Sequence, residues 1–140
     1  MATPVVIHAP CVVDVLLNGV RAAEVLEAIY GRSLVAPVHI DVDVASALAL
    51  MQQSGVPAGD IRVRLEIYLR IPLKRFEVAP LMLEAWDRQG GLYVSDGLYV
   101  ALAEHLGVPL VTRDRRLADT CSRAILVQAT RGWGALRSGA

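Results

Sequence analysis

Short apolar runs alternate along the chain with longer segments of helical periodicity. The short runs have the length of buried strands, and they lie at 5–7, 34–36, 109–111 and 124–127, whereas the more polar segment 73–78 is predicted to be an edge strand. Apolar residues recur every three or four positions, as on one face of a helix, at 13–20, 22–29, 41–51, 58–70, 80–88 and 96–106, with a shorter helical turn at 116–121. This alternation predicts the α/β class: a mainly parallel sheet with right-handed crossovers, covered by helices as a three-layer α/β/α sandwich.

Turn and capping residues predict several helix boundaries. A loop is expected at 8–10, and residues 18–19, Asn-Gly, are expected to break or kink the first helix, whose apolar face would include Val20. Ser95 is predicted to cap the helix that Asp96 opens. The most regular pattern predicts a helix that ends near residue 51, with an apolar side formed by Ile40, Val44, Ala47, Leu48 and Met51.

Length and composition fit one compact domain. The 140 residues are predicted to form a single domain over 1–130, followed by a short tail over 131–140. No apolar run approaches the ~20 residues of a membrane span, and the N-terminus lacks a signal-peptide pattern, so a soluble, cytoplasmic protein is expected. The formal net charge is zero, which excludes a basic field over the whole surface, so any contact with nucleic acid would be local.

Four polar residues are predicted to meet at one edge of the sheet, where the strands end or the next helices begin: His8, Asp43, Asp96 and Asp114. Neighbouring carboxylates repel one another, so three of them stay close only with a cation, a proton or a basic group between them. Oxygen donors suit Mg²⁺ or Mn²⁺, ions that can activate water for phosphodiester cleavage.

Each aspartate also has a simpler interpretation. Asp96 could cap its helix, and Asp114 could be a turn residue before the next helix. Asp41 and Asp43 flank a helix start, where either could act as a cap. Asp43 is the better candidate for pointing inward, because Ala47 follows it by one turn on the apolar side.

Two motifs resemble those of PIN-domain nucleases, and specifically of VapC-type toxins of bacterial toxin-antitoxin pairs. Residues 95–104, S-D-G-L-Y-V-A-L-A-E, and 109–118, P-L-V-T-R-D-R-R-L-A, are close to the family's Asp-Ala-Leu-Tyr-x-Ala-Leu-Ala and Leu-x-Thr-x-Asp signatures. Residues 39–48, H-I-D-V-D-V-A-S-A-L, are similar to the family's helix that carries a catalytic glutamate, with Asp43 in its place. The resemblance covers nearly the whole chain.

The first motif departs from the family pattern. Residues 5–14, V-V-I-H-A-P-C-V-V-D, align His8 with the family's first aspartate and Asp14 with its second acid. In a competing register, residues 11–13 form the strand and Asp14 itself is a metal ligand. A histidine at position 8 removes a negative charge from the predicted site, so magnesium affinity should fall, although an imidazole can still bind Mn²⁺ or a later transition metal.

The resemblance implies a metal-dependent endoribonuclease in which Asp43, Asp96 and Asp114 hold Mg²⁺ or Mn²⁺, the metal-bound water attacks the phosphodiester, and His8 is a surrogate or defective ligand. It also implies a homodimer and a cognate VapB-type antitoxin, whose tail folds onto a groove near helices 22–29 and 45–51. One alternative is a catalytically inactive PIN-fold protein that only binds antitoxin or RNA. Another is a doubly wound, response-regulator-like phosphate-binding domain, disfavoured because no lysine lies near the carboxyl edge.

Overall fold

The computed structural model describes residues 2–88 and 91–129. Within them, five strands form one sheet: β1 (Pro4–Ile7), β2 (Ser33–Pro37), β3 (Lys74–Phe76), β4 (Leu110–Thr112) and β5 (Ala124–Leu126). The strand order is β3-β2-β1-β4-β5, and all the pairings between neighbours are parallel. The predicted parallel sheet is therefore confirmed.

Helices cover the sheet in two groups. Those of the first group contact one another and follow β1 and β2: α1 (Ala9–Leu16), α2 (Ala22–Ile29), α3 (Ile40–Gln53) and α4 (Ala58–Leu69). Those of the second group follow β3 and β4, with α6 contacting both of the others: α5 (Met82–Asp87), α6 (Val94–Leu106) and α7 (Arg115–Asp119). A 3₁₀ turn, Ala79–Leu81, precedes α5. The predicted three-layer α/β/α architecture is confirmed.

The core is centred on β1 and α6. Val5, Val6 and Ile7 of β1 are buried, because this strand has a neighbour on each side and helices on both faces. Residues 97–103 of α6 are all buried, since α6 packs on the sheet and also against α5 and α7. The approach of α5 is close at Gly97, where a Cβ atom would lie 3.2 Å from the carbonyl oxygen of Ala85.

The predicted start of the first helix is wrong. Helix α1 begins at Ala9, directly after β1, so residues 8–10 do not form a loop. Pro10 lies in the first turn, where a missing backbone N–H costs no helical hydrogen bond. The helix ends at Leu16, followed by Asn18 at a positive φ of 50°. Val20 is consequently 75% exposed, and it is not part of the predicted apolar face.

Other boundaries also differ from the prediction. Helix α6 begins at Val94 with Tyr93 at the N-cap position, so Ser95 does not cap it. Met51 is exposed, because the side of α3 that it occupies borders a cavity and not the core. Residues 11–13, the strand of the competing register, belong to α1. The predicted tail at 131–140 lies outside the described residues. No helix in the described ranges is long and apolar enough to cross a membrane.

Candidate active site

A polar cavity lies where the order of strands in the sheet reverses. From β1 the chain adds β2 and then β3 on one side of the sheet. Strands β4 and β5 are added on the other side, so the strand order reverses between β1 and β4. In open parallel sheets the carboxyl ends at such a point border a crevice that ligands can enter. Here the cavity has a volume of about 320 Å³ and is lined by His8, Ala9, Pro10, Val13, Asp43, Ala47, Leu50, Met51, Ser95, Asp96, Arg113 and Asp114.

The fold thus brings His8, Asp43, Asp96 and Asp114 to one cavity. His8 follows β1, and Asp114 follows β4, whose Val111 pairs with Ile7. Asp43 and Asp96 lie in the first turns of α3 and α6. Because the strands are parallel, the helices that follow them begin at the same edge of the sheet.

His8 is buried and has a polar partner for each ring nitrogen. Nδ1 lies 2.9 Å from Thr112 Oγ1, and Nε2 lies 3.1 Å from Asp96 Oδ1. The Thr112 hydroxyl also accepts the backbone N–H of Asp114, at 3.0 Å. A carboxylate oxygen cannot donate, so the Nε2–Oδ1 contact is a hydrogen bond only when Nε2 carries the proton. In this hydrogen bond His8 is the donor, through its Nε2–H, and the Asp96 carboxylate is the acceptor.

Asp43 is held by a tyrosine that lies between two histidines. The Tyr99 hydroxyl donates to Asp43 Oδ2 at 2.8 Å. Burial, followed by the nearby charge of Asp43, raises the pKa of Tyr99, so the phenol keeps its proton and remains a donor. The Tyr99 ring packs edge-on against His8, with ring centres 4.8 Å apart, and against His39, at 5.0 Å.

His39 is a site residue that the sequence analysis missed. Its Nε2 lies 2.9 Å from the Ser95 carbonyl oxygen and 3.5 Å from Asp43 Oδ2. The i,i+4 spacing of His39 and Asp43 was a visible signal of their proximity. The bond to Ser95 links the start of α3 to the start of α6, so His39 helps to fix the separation of Asp43 and Asp96.

Asp114 has the capping role that its position after β4 allowed. Its Oδ1 accepts the backbone N–H of Arg116 at 2.9 Å and that of Leu117 at 3.3 Å, at the beginning of α7. Asp96 is different, because its Oδ1 is directed to His8 and not to its own helix. The capping interpretation therefore fails for Asp96, whereas Asp114, for which the simpler interpretation was a turn residue before the next helix, is the N-cap of α7.

Asp14 and Asp41 do not line the cavity. Asp14 lies on α1, only 7% exposed, and its Oδ1 accepts a hydrogen bond from Arg113 Nη1 at 2.7 Å. Asp41 accepts the Tyr68 hydroxyl at 2.6 Å and pairs with Arg75 at 2.9 Å, beside the edge strand β3. Each of these two carboxylates is paired with an arginine side chain, and neither is part of the cavity lining.

Comparison with known proteins shows the family. A PIN-domain family model matches residues 6–122. The chain belongs to the PIN-domain family. Ribonuclease VapC3 of Mycobacterium tuberculosis is 36% identical over 116 residues, which cover 81% of this chain and 85% of that protein. This chain is thus a VapC-type PIN-domain protein.

Solved structures agree with this PIN-domain architecture. PAE2754 from Pyrobaculum aerophilum superposes with a TM-score of 0.72 at 22% identity, covering 91% of each chain. VapBC2 from Rickettsia felis, solved bound to a DNA fragment from its promoter, gives a TM-score of 0.61 at 13% identity and covers 89% of this chain and 97% of its own. At these identities the likeness concerns the fold alone.

The oxygen donors of this PIN domain fit a hard divalent cation by their chemistry. Asp43, Asp96 and Asp114 each use one carboxylate oxygen in the hydrogen bonds above, and the second oxygen has no partner among the described residues. As the side chains stand in residues 2–88 and 91–129, no three of the types His, Cys, Asp and Glu already enclose an ion. The acids are thus held near the cavity by Tyr99, His8 and backbone N–H groups.

A second, apolar cavity lies on the face of the PIN domain covered by the first helix group. Its volume is about 410 Å³, and its lining consists of Ile7, Val12, Val15, Leu16, Leu26, Ile29, Leu34, Ile67, Tyr68, Ile71 and Leu73. Helix α2, one of the two predicted groove helices, contributes to this lining. Helix α3, the other, does not, because it packs beside the polar cavity instead.

Proposed function

We propose that this PIN-domain protein is a metal-dependent endoribonuclease that hydrolyses RNA phosphodiester bonds and is inhibited by a cognate VapB-type antitoxin. The observation that carries the proposal is the convergence of Asp43, Asp96 and Asp114 on one cavity at the carboxyl edge, each with one oxygen that has no partner in residues 2–88 and 91–129. The name of the 36% identical relative, a ribonuclease, supports the reaction class.

The three aspartates would hold Mg²⁺ or Mn²⁺, and such an ion activates water and offsets the charge that develops on the phosphate. Tyr99 occupies Oδ2 of Asp43, and Oδ1 has no hydrogen-bond partner among the described residues. His8 does the same for Asp96. We do not assign Asp14 to this set, because its Oδ1 accepts from Arg113 Nη1 and Asp14 is not part of the cavity lining.

His8 lowers the expected activity without removing the machinery. An aspartate at this position would add a fourth carboxylate, whereas the histidine supplies an N–H donor to one of the three. The cavity consequently has less negative charge with which to attract a divalent cation. We therefore propose that the chain cuts RNA slowly and needs a high concentration of Mg²⁺ or Mn²⁺.

The experiment that tests this function is cleavage of a structured RNA by the purified, antitoxin-free chain. Cleavage should require Mg²⁺ or Mn²⁺, and Asp96→Asn should slow it by at least about tenfold, since changes next to a bound metal typically cost that much. Asp60→Asn, on the exposed first turn of α4 and outside the cavity, is the matched control and should cut as the original chain does.

A second candidate function is a PIN-fold protein that binds RNA or antitoxin without cutting. The His8–Asp96 hydrogen bond favours it, because this bond stabilises a carboxylate of the cavity with no metal ion present. Binding of the RNA without any cleavage at saturating Mn²⁺ would establish this second function in place of the first.

We propose that the antitoxin binds over the apolar cavity between α1, α2 and α4. Leu26 of α2 is 51% exposed and Ile67 of α4 is also exposed, and both line this cavity, which an apolar side chain of a partner helix would fill. The VapBC2 structure supports a partner of this kind, since it contains a toxin of the same fold with its antitoxin.

Leu26→Glu is expected to weaken binding of the cognate antitoxin by more than about 30-fold, as loss of a central interface anchor does. Isothermal titration calorimetry would measure the Kd. The control is Leu69→Glu, on α4 and 62% exposed but not part of the cavity lining, which should bind normally. Equal loss in both variants would place the antitoxin elsewhere.

We also propose a homodimer and a cytoplasmic location, where cellular RNA is accessible. Large apolar side chains exposed on α3 and α5 support self-association: Val42, Leu50, Leu83 and Trp86.

A further inference from the structure

Arg113 lies on the wall of the polar cavity, and the metal-binding role proposed for the three aspartates gives this arginine no function. It follows β4 directly, between Thr112, which contacts His8, and Asp114. Its side chain contributes to the cavity lining and remains partly exposed. The cavity therefore has a cationic group beside its carboxylates.

A buried carboxylate fixes this guanidinium. Asp14 Oδ1 accepts from Arg113 Nη1 at 2.7 Å, which is the short distance of a charge-assisted hydrogen bond. Asp14 Oδ2 is buried without a hydrogen-bond partner among the described residues, so Arg113 is the principal compensation for this charge. Because Asp14 lies on α1, the arginine is anchored to the helix that follows His8.

The guanidinium keeps donors available for a ligand. Arginine has five N–H groups, and the structure uses one of them for Asp14. The remaining donors have no hydrogen-bond partner in the described residues. A fixed, planar group with free N–H donors matches the paired oxygens of a phosphate, and its pre-organisation lowers the entropy lost on binding.

We propose that Arg113, held by Asp14, binds a phosphate of the RNA backbone at the mouth of the cavity, and that Asp14 is a positioning residue and not a metal ligand. The inference rests on the proposed function, because RNA is the substrate assumed there. In this proposal the buried Asp14 acts only through its ion pair with Arg113.

The test measures binding of a fluorescently labelled RNA hairpin by anisotropy, in EDTA and at several salt concentrations, together with its cleavage in Mn²⁺. Arg113→Gln should raise the Kd on the order of tenfold, as loss of a charged hydrogen bond does. It should also lower the slope of log Kd against log salt by about 0.7, the value for one single-strand phosphate contact. Cleavage at subsaturating RNA should fall by the same factor.

Arg123→Gln is the matched control. Arg123 precedes β5, so it lies at the amino-terminal edge of the sheet, although its strand is the neighbour of β4. The variant loses the same charge as Arg113→Gln, and both its Kd and its salt slope should equal those of the original chain. A similar effect in the two variants would mean that only net charge matters, and would overturn the proposal.

Asp14→Asn separates positioning from metal binding. It retains the Arg113 charge but weakens its anchor, so RNA affinity should fall while Mn²⁺ affinity, measured by calorimetry, stays unchanged. A fall in Mn²⁺ affinity would overturn the positioning role. Because Arg113→Gln leaves Asp14 buried without a countercharge and can unfold the chain, the double variant Asp14→Asn/Arg113→Gln, which removes both charges, is measured as well.

The outcomes distinguish this inference from the proposed function. If the original chain neither binds nor cuts the hairpin, the proposed function is overturned and the inference falls with it. If the original chain binds the hairpin and the folded double variant binds with the same Kd and salt slope, the inference alone is overturned.

Discussion

Replacement of His8 by aspartate is expected to raise both Mg²⁺ affinity and the rate of RNA cleavage, by roughly 10- to 100-fold. The new carboxylate would add a negative charge and an oxygen donor to the cavity that already holds Asp43, Asp96 and Asp114. The Thr112 hydroxyl, now 2.9 Å from His8 Nδ1, would remain as a donor that can orient the new side chain. Calorimetry with Mg²⁺ and single-turnover cleavage would measure the two effects.

The same substitution should make the metal-free protein less stable. His8→Asp removes the N–H donor to Asp96 and places four carboxylates around one cavity, where they repel one another. The melting temperature should therefore fall in EDTA and recover with Mg²⁺, because a ligand that binds the folded state stabilises it.

His105→Asp provides a control with the same change of residue type at an exposed position near the end of α6. Its cleavage rate and its melting temperature should equal those of the original chain, both in EDTA and with Mg²⁺. If His8→Asp neither gains cleavage nor responds to Mg²⁺, then position 8 does not limit the site. The non-cutting function would take the place of the proposed one.

Truncation of Leu102 to alanine is expected to reduce the free energy of unfolding by about 2–5 kcal/mol. Leu102 is 1% exposed in the middle of α6, which packs against the sheet, α5 and α7, so few neighbours can move in to fill the lost volume. Equilibrium urea denaturation, followed by circular dichroism, would measure the change as a lower midpoint with an unchanged m-value.

Leu69→Ala is the control for this prediction, because the same truncation at a largely exposed position of α4 should change stability by no more than about 0.5 kcal/mol. A loss at Leu102 as small as the control's would show that α6 is not the centre of the core. Since residues 97–103 are all buried, such a result would contradict the packing of the fold and not only that of one side chain.

Much of the fold could be predicted because its signals are local. Apolar runs such as residues 5–7 and 124–127, separated by helical periodicity, were enough to predict parallel strands with helices between them. The meeting of His8, Asp43, Asp96 and Asp114 at one edge follows from that topology, since parallel strands place all their carboxyl ends together. The start of α1 differs from the predicted loop at 8–10, because a proline fits the first turn of a helix as well as it fits a loop.

The partners of the site residues depend on contacts between distant parts of the chain. His39 and Tyr99, which hold Asp43, are 60 residues apart in sequence, and Asp14 is 99 residues from Arg113. No periodicity in the sequence reports whether such side chains reach hydrogen-bond distance, because that depends on the helix positions over the sheet. The sequence therefore identified the candidate acids and the edge where they meet, but not the side chains that hold each of them in place.

The sequence by itself determined the class of the fold, the edge of the sheet that carries the acids, and the resemblance to the PIN-domain family. Periodicity and strand direction are properties of short segments, which is why these features could be predicted before any packing was known. Only the tertiary structure decided that His8 donates to Asp96, that Asp114 caps α7, and that Asp14 pairs with Arg113 outside the group of cavity carboxylates. Those contacts depend on distances of about 3 Å between separate elements, which are set when the helices pack on the sheet.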